Sequence, residues 1–174
     1  MKISKNKKNI IQGDALEMIQ HGRFGPISVG SSLSDVKDFL SQIEGLQPDH
    51  LSTYDSDAED TWAFAFSSLR FYLNKKHHDE FKVSAIVVDA TTKEDSSLDY
   101  ENHIYFRCHG LRRGNRLKTI RRKLNDMGID IIDQKTIAYS VELHTNRYGV
   151  LSFQFYPPEG IMEETATFSQ FIIK

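Results

Sequence analysis

The chain has 174 residues, 39% apolar and 26% charged, an ordinary globular composition that can bury a sizeable core as one domain or two closely packed halves. No apolar run approaches the roughly 20 residues a membrane-spanning helix needs, and the single cysteine, Cys108, excludes an internal disulfide. The formal net charge of −2 hides a polarised chain: seven acids and no Lys or Arg from Asp38 to Leu69, then seven Lys or Arg and no acid from Arg112 to Lys123.

The first dozen residues are polar and carry Lys2, Lys5, Lys7 and Lys8, which reads as a solvated tail or as a basic arm. No apolar stretch follows, so a secretory signal is not expected and the chain is placed in the cytoplasm. Asp14 is a good N-cap for a short helix to Gln20, ended by Gly22, Gly25 and Pro26, and Ile27–Val29 is extended. Ser32 opens a helix with a capping box to Asp35; Leu33, Val36, Phe39, Leu40 and Ile43 form its buried stripe, with Gly45 as the C-terminal cap before Pro48. A Ser- and Asp-rich loop runs from His50 to Thr61. Trp62–Phe66 and Leu69–Leu73 read as a hairpin joined by Ser67-Ser68, and Val83–Asp89 as a β-branched strand. Residues 90–103 are a polar connection, and Ile104–His109 is a strand that closes the first sheet or opens the second. A second helix covers Asn115–Met127, with Leu117, Ile120, Leu124 and Met127 inward and Gly128 at its end. Ile137–Leu143 alternates as one strand, Val150–Tyr156 returns after a turn at Asn146–Gly149, and Thr167–Ile173 is the final strand.

Three blocks recur in order. Gly30–Leu40 matches Gly114–Leu124 and Leu69–Leu73 matches Phe153–Pro157, both 84 positions on; Ser84–Val88 matches Ser169–Ile173 at 85. The fold class is therefore read as α+β: one compact domain, 1–174, made of two related helix-plus-antiparallel-sheet units, about 22–89 and 104–174, packed side by side and joined by 90–103. The matched positions also assign faces. Leu69, Phe71, Phe153, Phe155, Ile86, Val88, Phe171 and Ile173 point to the helices, leaving Arg70, Tyr72, Gln154 and Tyr156 on the opposite face with Glu142 among the polar positions of its own strand.

Patterns with chemistry in them are sparse. Gly110–Gly114 lacks the spacing and the Lys-Ser/Thr ending of a phosphate loop. His77-His78-Asp79-Glu80 has no spaced ligands to join it, and Cys108 and His109, as strand neighbours, project apart and cannot pair as nucleophile and base. No catalytic residue, metal ligand or cofactor-binding residue is assigned and the chain is not read as an enzyme. Asp55, Asp57, Glu59 and Asp60 crowd one polar loop beside Trp62, as a solvated loop or a partner-binding patch.

Phe24-Gly25-Pro26-Ile27-Ser28-Val29-Gly30-Ser31-Ser32-Leu33-Ser34-Asp35-Val36, followed by a loop, an aromatic hairpin at Trp62–Leu73 and an aliphatic strand at Val83–Asp89, resembles small bacterial immunity proteins of polymorphic and contact-dependent growth-inhibition toxin systems. The tandem layout is similar to that of β-lactamase inhibitor proteins, which grip an enzyme with a sheet surface. The pattern departs at Ile43–Pro48, which has extra residues, and at Ser67-Ser68, where a glycine is usual. The resemblance implies a cytoplasmic immunity protein that binds a cognate toxin domain, often a nuclease, and blocks it by occlusion. The expected contact residues are Asp55, Asp57, Glu59, Asp60, Trp62, Arg70, Tyr72, Glu142, Gln154 and Tyr156. The alternative is a nucleic-acid-associated module using the basic second helix; the slight negative charge and the lack of aromatics interleaved with those cations weigh against it.

Overall fold

The computed structural model describes residues 10–46, 50–51, 61–75, 80–137, 139–154 and 166–174. Among them the chain is mostly antiparallel sheet with three helices, an α+β fold. β1 (Ile11–Asp14) leads into α1 (Ala15–His21), where Asp14 Oδ1 accepts from Leu16 N at 2.9 Å and Glu17 N at 3.2 Å, and Gly22 closes the helix in the left-handed region at φ 65°. β2 (Arg23–Phe24) and β3 (Ile27–Ser28) form a tight hairpin before α2 (Leu33–Ser41). The Ser32/Asp35 capping box is present in both directions, with Asp35 N to Ser32 Oγ at 3.1 Å and Ser32 N to Asp35 Oδ2 at 2.7 Å. The Ser32 N bond and a further one from Ser32 Oγ at 2.8 Å, both to Asp35 Oδ2, favour the ionised carboxyl and hold the pKa of Asp35 below its usual value. α2 stops at Ser41, earlier than the glycine signal implied; two tight turns, Ile43 N to Leu40 O and Leu46 N to Ile43 O, bury Ile43 and leave Gly45 beyond the helix.

β4 (His50–Leu51), β5 (Thr61–Phe66), β6 (Leu69–Asn74) and β7 (Lys82–Asp89) follow. β8 (Ser96–Ser97) and β9 (Ile104–Arg107) come next, then α3 (Leu117–Asp126), β10 (Ile131–Ile137), β11 (Ser140–Thr145), β12 (Gly149–Gln154) and β13 (Thr167–Ile173). One eight-stranded sheet runs β10-β11-β12-β13-β7-β6-β5-β4, and its central seam is the antiparallel pairing of β13 with β7. β9 joins neither half of that sheet. It pairs in parallel with β1 and antiparallel with β8 in a separate three-stranded sheet, a contact across about ninety residues that no local pattern announces. The alternation read over Ile137–Leu143 spans a hairpin instead of one strand. Ser140 Oγ bonds Ile137 O at 3.0 Å, and Ile137 is 51% exposed while Val141 and Leu143 are fully buried.

The helices and the small sheet lie on one face of the large sheet. Leu69, Phe71, Leu73, Ile86, Val88, Val141, Leu143, Leu151, Phe153, Phe168, Phe171 and Ile173 supply that inner face. Ring contacts cross the core in a chain: Phe71 to Phe24 at 6.2 Å, Phe24 to Phe106 at 6.4 Å, Phe106 to Phe171 at 5.2 Å, Phe171 to Phe168 at 4.8 Å and Phe168 to Phe153 at 5.4 Å. The small sheet contributes Phe106, which joins Phe24 to Phe171 on the seam strand of the large sheet. Gly13 and Gly149 mark two close approaches: a Cβ at Gly13 would sit 2.3 Å from Phe24 Cε2, and one at Gly149 would sit 3.0 Å from the Ile19 Cα of α1.

Each of the two later helices is tied to the last strand of the run that follows it by matching backbone bonds. Gly30 N donates to Val83 O at 2.8 Å and Gly114 N to Phe168 O at 3.0 Å; Val83 N donates to Ser31 O and Phe168 N to Asn115 O, both at 2.8 Å. Ser32 bridges Lys82 as Arg116 bridges Thr167. Gly30 and Gly114 hold φ of 90° and 84°, conformations only glycine adopts freely.

Candidate functional site: the outer face of the large sheet

Strand pairing decides which side chains share the outer face, because residues directly opposite in an antiparallel ladder project to the same side. Arg70 is opposite Val87 and Tyr72 opposite Ala85; across the seam Val87 is opposite Ile172 and Asp89 opposite Gln170. The ladder continues through Gln170–Ser152, Ser152–Glu142 and Gln154–Ser140. Arg70, Tyr72, Glu142 and Gln154 therefore lie on one surface, as the sequence reading grouped them. Tyr72 and Arg70 are half-buried and Gln154 is exposed. Trp62 is on the inner side of its strand, half-buried, tilted on Phe81 with ring centroids 5.6 Å apart, and does not join this surface. Asp55, Asp57, Glu59, Asp60, Phe155 and Tyr156 lie outside the described residues, as does His77-His78-Asp79.

Two ionic groups hold the face in place. The Arg70 guanidinium bonds Asp89 Oδ1, which also accepts from Gln170 Nε2 at 2.8 Å across the seam. Arg70 Nε is buried with no hydrogen-bond partner. On the other half, Glu142 Oε2 is 3.2 Å from both Lys174 Nζ and His144 Nε2. Between them lie short or apolar side chains: Val87, Val150 and Ser152 are each less than a tenth exposed. Asp89, Gln170 and Lys174 are absent from the sequence-derived set because they reach Arg70 and Glu142 only across strands, with partners up to 81 positions apart, whereas His144, two residues from Glu142 on the same strand, is legible from strand parity and is missed by that set.

A second polar cluster lies on the far side of the core. Glu94 clamps the turn after β9: Oε2 accepts from Cys108 Sγ at 3.0 Å and Gly110 N at 2.9 Å, Oε1 from His109 N at 2.7 Å, and Arg112 is 3.8 Å away. Burial pushes the Glu94 pKa up, but the bonds from Cys108, Gly110 and His109 and the Arg112 charge outweigh it, leaving a net lowering. Burial and the same carboxylate push the Cys108 thiol up, so it is a poor nucleophile. His109 turns away to Asp14, with Nε2 2.8 Å from Oδ2, so Cys108 and His109 serve different partners. Asp99 similarly accepts from His103 N, Ile104 N and His103 Nδ1, which together overcome burial and lower its pKa. A concavity of about 380 Å³ opens on the outside of the small sheet, lined by Gln12, Gly13, Asp14, Asp95, Tyr105 and Arg107.

The sign of the Glu94 effect is testable. Its carboxyl has a lower pKa in the fold than in the unfolded chain, so its contribution is complete above the ordinary carboxylate value of about 4.3 and fades as pH falls through the folded value. Glu94→Gln is expected to flatten the loss of stability on acidification, read as urea midpoints between neutral and acid pH, with Asp99 keeping part of the slope. An acid limb identical to that of the unmodified chain would contradict the clamp.

Among the described residues no group of three His, Cys, Asp or Glu is placed to hold a metal ion, and no helix is long and apolar enough to cross a membrane. Comparison with family models, with curated proteins and with solved structures finds no match.

Proposed function

We infer that this chain is a protein-binding module that uses the outer face of its large sheet, and that it acts as an immunity protein, occluding a cognate toxin domain without chemistry of its own. The observation that carries the reading is the division of labour between the faces. The inner face is closed by helices and aromatic packing, while the outer one presents Tyr72 and Gln154 alongside ordered ion groups. Charged side chains already fixed by neighbours lose little freedom on binding, and a partly exposed tyrosine is the kind of residue interfaces use as an anchor.

The matched bonds that dock α2 and α3 further support a chain of two related units meeting at the β7–β13 seam. Residues 30, 31 and 32 correspond to 114, 115 and 116 at an offset of 84, and 82 and 83 to 167 and 168 at 85. Asp89 and Lys174 occupy corresponding positions with opposite charge, so the outer face is not electrostatically symmetric. An asymmetric face sets one orientation for a partner.

The test is binding kinetics against the toxin domain encoded beside this gene. Tyr72→Ala is expected to speed dissociation by the equivalent of about 1–3 kcal/mol, with unchanged circular dichroism. Gln154→Ala, at the margin, is expected to change little. Unaltered dissociation of the Tyr72 variant would move the contact surface off this face.

A further inference from the structure

The large sheet ends at β10, and this edge differs from the outer face in both shape and charge. β10 is hydrogen-bonded to β11 on one side and, among the described residues, is the outermost strand of its sheet. Five of its seven residues are exposed, among them Ile132 at 68% and Ile137 at 51%. Its two charges, Asp133 and Lys135, lie 3.6 Å apart and largely cancel. An edge with exposed apolar side chains and no net charge is open to pairing with another strand.

α3 lies over the inner side of this edge. Arg121 donates to Gln134 Oε1 of β10, which brings the helix's exposed row to the strand. That row is Lys118, Arg121 and Arg122, at i, i+3 and i+4 on one helix face. Lys118 and Arg122, with Arg113 and Arg116 just before them, are exposed and have no carboxylate within ion-pair distance among the described residues. α2 is different: its capping box already supplies a carboxylate to its first turn, whereas α3 has no acidic residue there and no side-chain cap. Uncompensated cations above an open strand edge call for a strand that brings the anions.

We propose that β10 receives an extended segment of a partner protein as an added strand, with carboxylates alternating with apolar side chains. The carboxylates would face Lys118, Arg121 and Arg122 on the inner side, and the apolar side chains would meet Ile137 on the outer side. Backbone pairing gives such a complex its affinity and the alternating side chains its register. Nucleic acid fits the cations but makes no use of a strand edge. This edge adjoins the outer face, since Lys135 pairs with Glu142 and Ile137 with Ser140, but its test does not depend on the toxin reading.

The probe is a fluorescein-labelled, strand-length peptide of alternating Glu and Val, titrated with the full chain and followed by anisotropy. Two comparisons decide the matter: the same peptide N-methylated at alternate residues, which keeps the charge and cannot complete the ladder, and an oligothymidylate of matched charge. The unmodified peptide is expected to bind best. N-methylation is expected to weaken it about tenfold or more, and Arg121→Glu/Arg122→Glu by a similar factor. Should that double variant fold poorly, Lys118→Glu, at an exposed and unpaired position, is expected to weaken binding several-fold with circular dichroism unchanged. Equal binding of the N-methylated peptide would overturn the proposal, as would no binding of the unmodified one. Oligothymidylate binding as tightly as the peptide would overturn it in favour of a general polyanion surface.

Discussion

Replacing Phe171 by alanine is expected to destabilise the fold by about 3–5 kcal/mol, the range for a buried Phe→Ala change. Phe171 is 1% exposed and stands on the seam strand β13, opposite Val88 of β7. Its ring meets Phe106 at 5.2 Å and Phe168 at 4.8 Å, both edge-on, so truncation removes two aromatic contacts as well as the area it buries. The cavity would open where the small sheet, the first strand run and the second strand run converge. Phe171→Leu is expected to recover most of the loss, because it restores volume at the same place. The measurement is urea unfolding followed by circular dichroism. A loss below about 1 kcal/mol for the alanine variant would mean that the small sheet does not pack on the seam.

Leu124→Ala is expected to cost about 2–5 kcal/mol, and Leu40→Ala clearly less. The sequence repeat makes these leucines equivalent, and on that ground alone their costs would be equal. Their surroundings are not. Leu124 is 0% exposed within the core beneath α3, with Ile120 one turn away. Leu40 is only partly buried at the end of α2, where it borders an open groove with Ile43, Leu46, Phe64 and Phe66. A truncated side chain beside solvent leaves no sealed cavity, so the second term of the cost is small. Equal losses at both positions would show that the end of α2 is more tightly closed than its exposure implies.

The functional reading depends on which of these effects stays inside the core. Phe171 and Leu124 face inward, so their loss should weaken binding only through folding. Tyr72 faces outward and should do the reverse. That contrast separates a damaged scaffold from a damaged surface, and stability and kinetics on the same variants read it directly.

Much of the architecture is legible in local chemistry. Asp14 and Ser32-x-x-Asp35 mark helix starts because their oxygens satisfy backbone donors within three residues. The large–small alternation at Trp62–Phe66 and the run Leu69–Leu73 mark a hairpin because a strand's period is two. The repeat then places Leu69, Phe71 and Phe153 inward and Arg70, Tyr72 and Gln154 outward, an arrangement that rests only on the parity of each strand. What local chemistry determines is contact range: a turn of helix, or a hairpin whose two strands each bury one face, can be read from neighbours.

Three features lie beyond that range. The parallel pairing of β1 with β9 joins segments about ninety residues apart, and a parallel ladder has no turn to announce it. β10 is half-solvated at an edge, so Ile131–Ile137 lacks the apolar alternation that burial imposes, and the pattern that does run through Ile137 and Tyr139 continues across the turn. The β7–β13 seam sets Asp89 beside Gln170 and thereby completes the Arg70 group on the outer face. The first and third depend on a long chain loop closing, and the free energy that selects the closure comes from the shared core of Phe24, Phe106 and Phe171 rather than from any residue's neighbours in sequence.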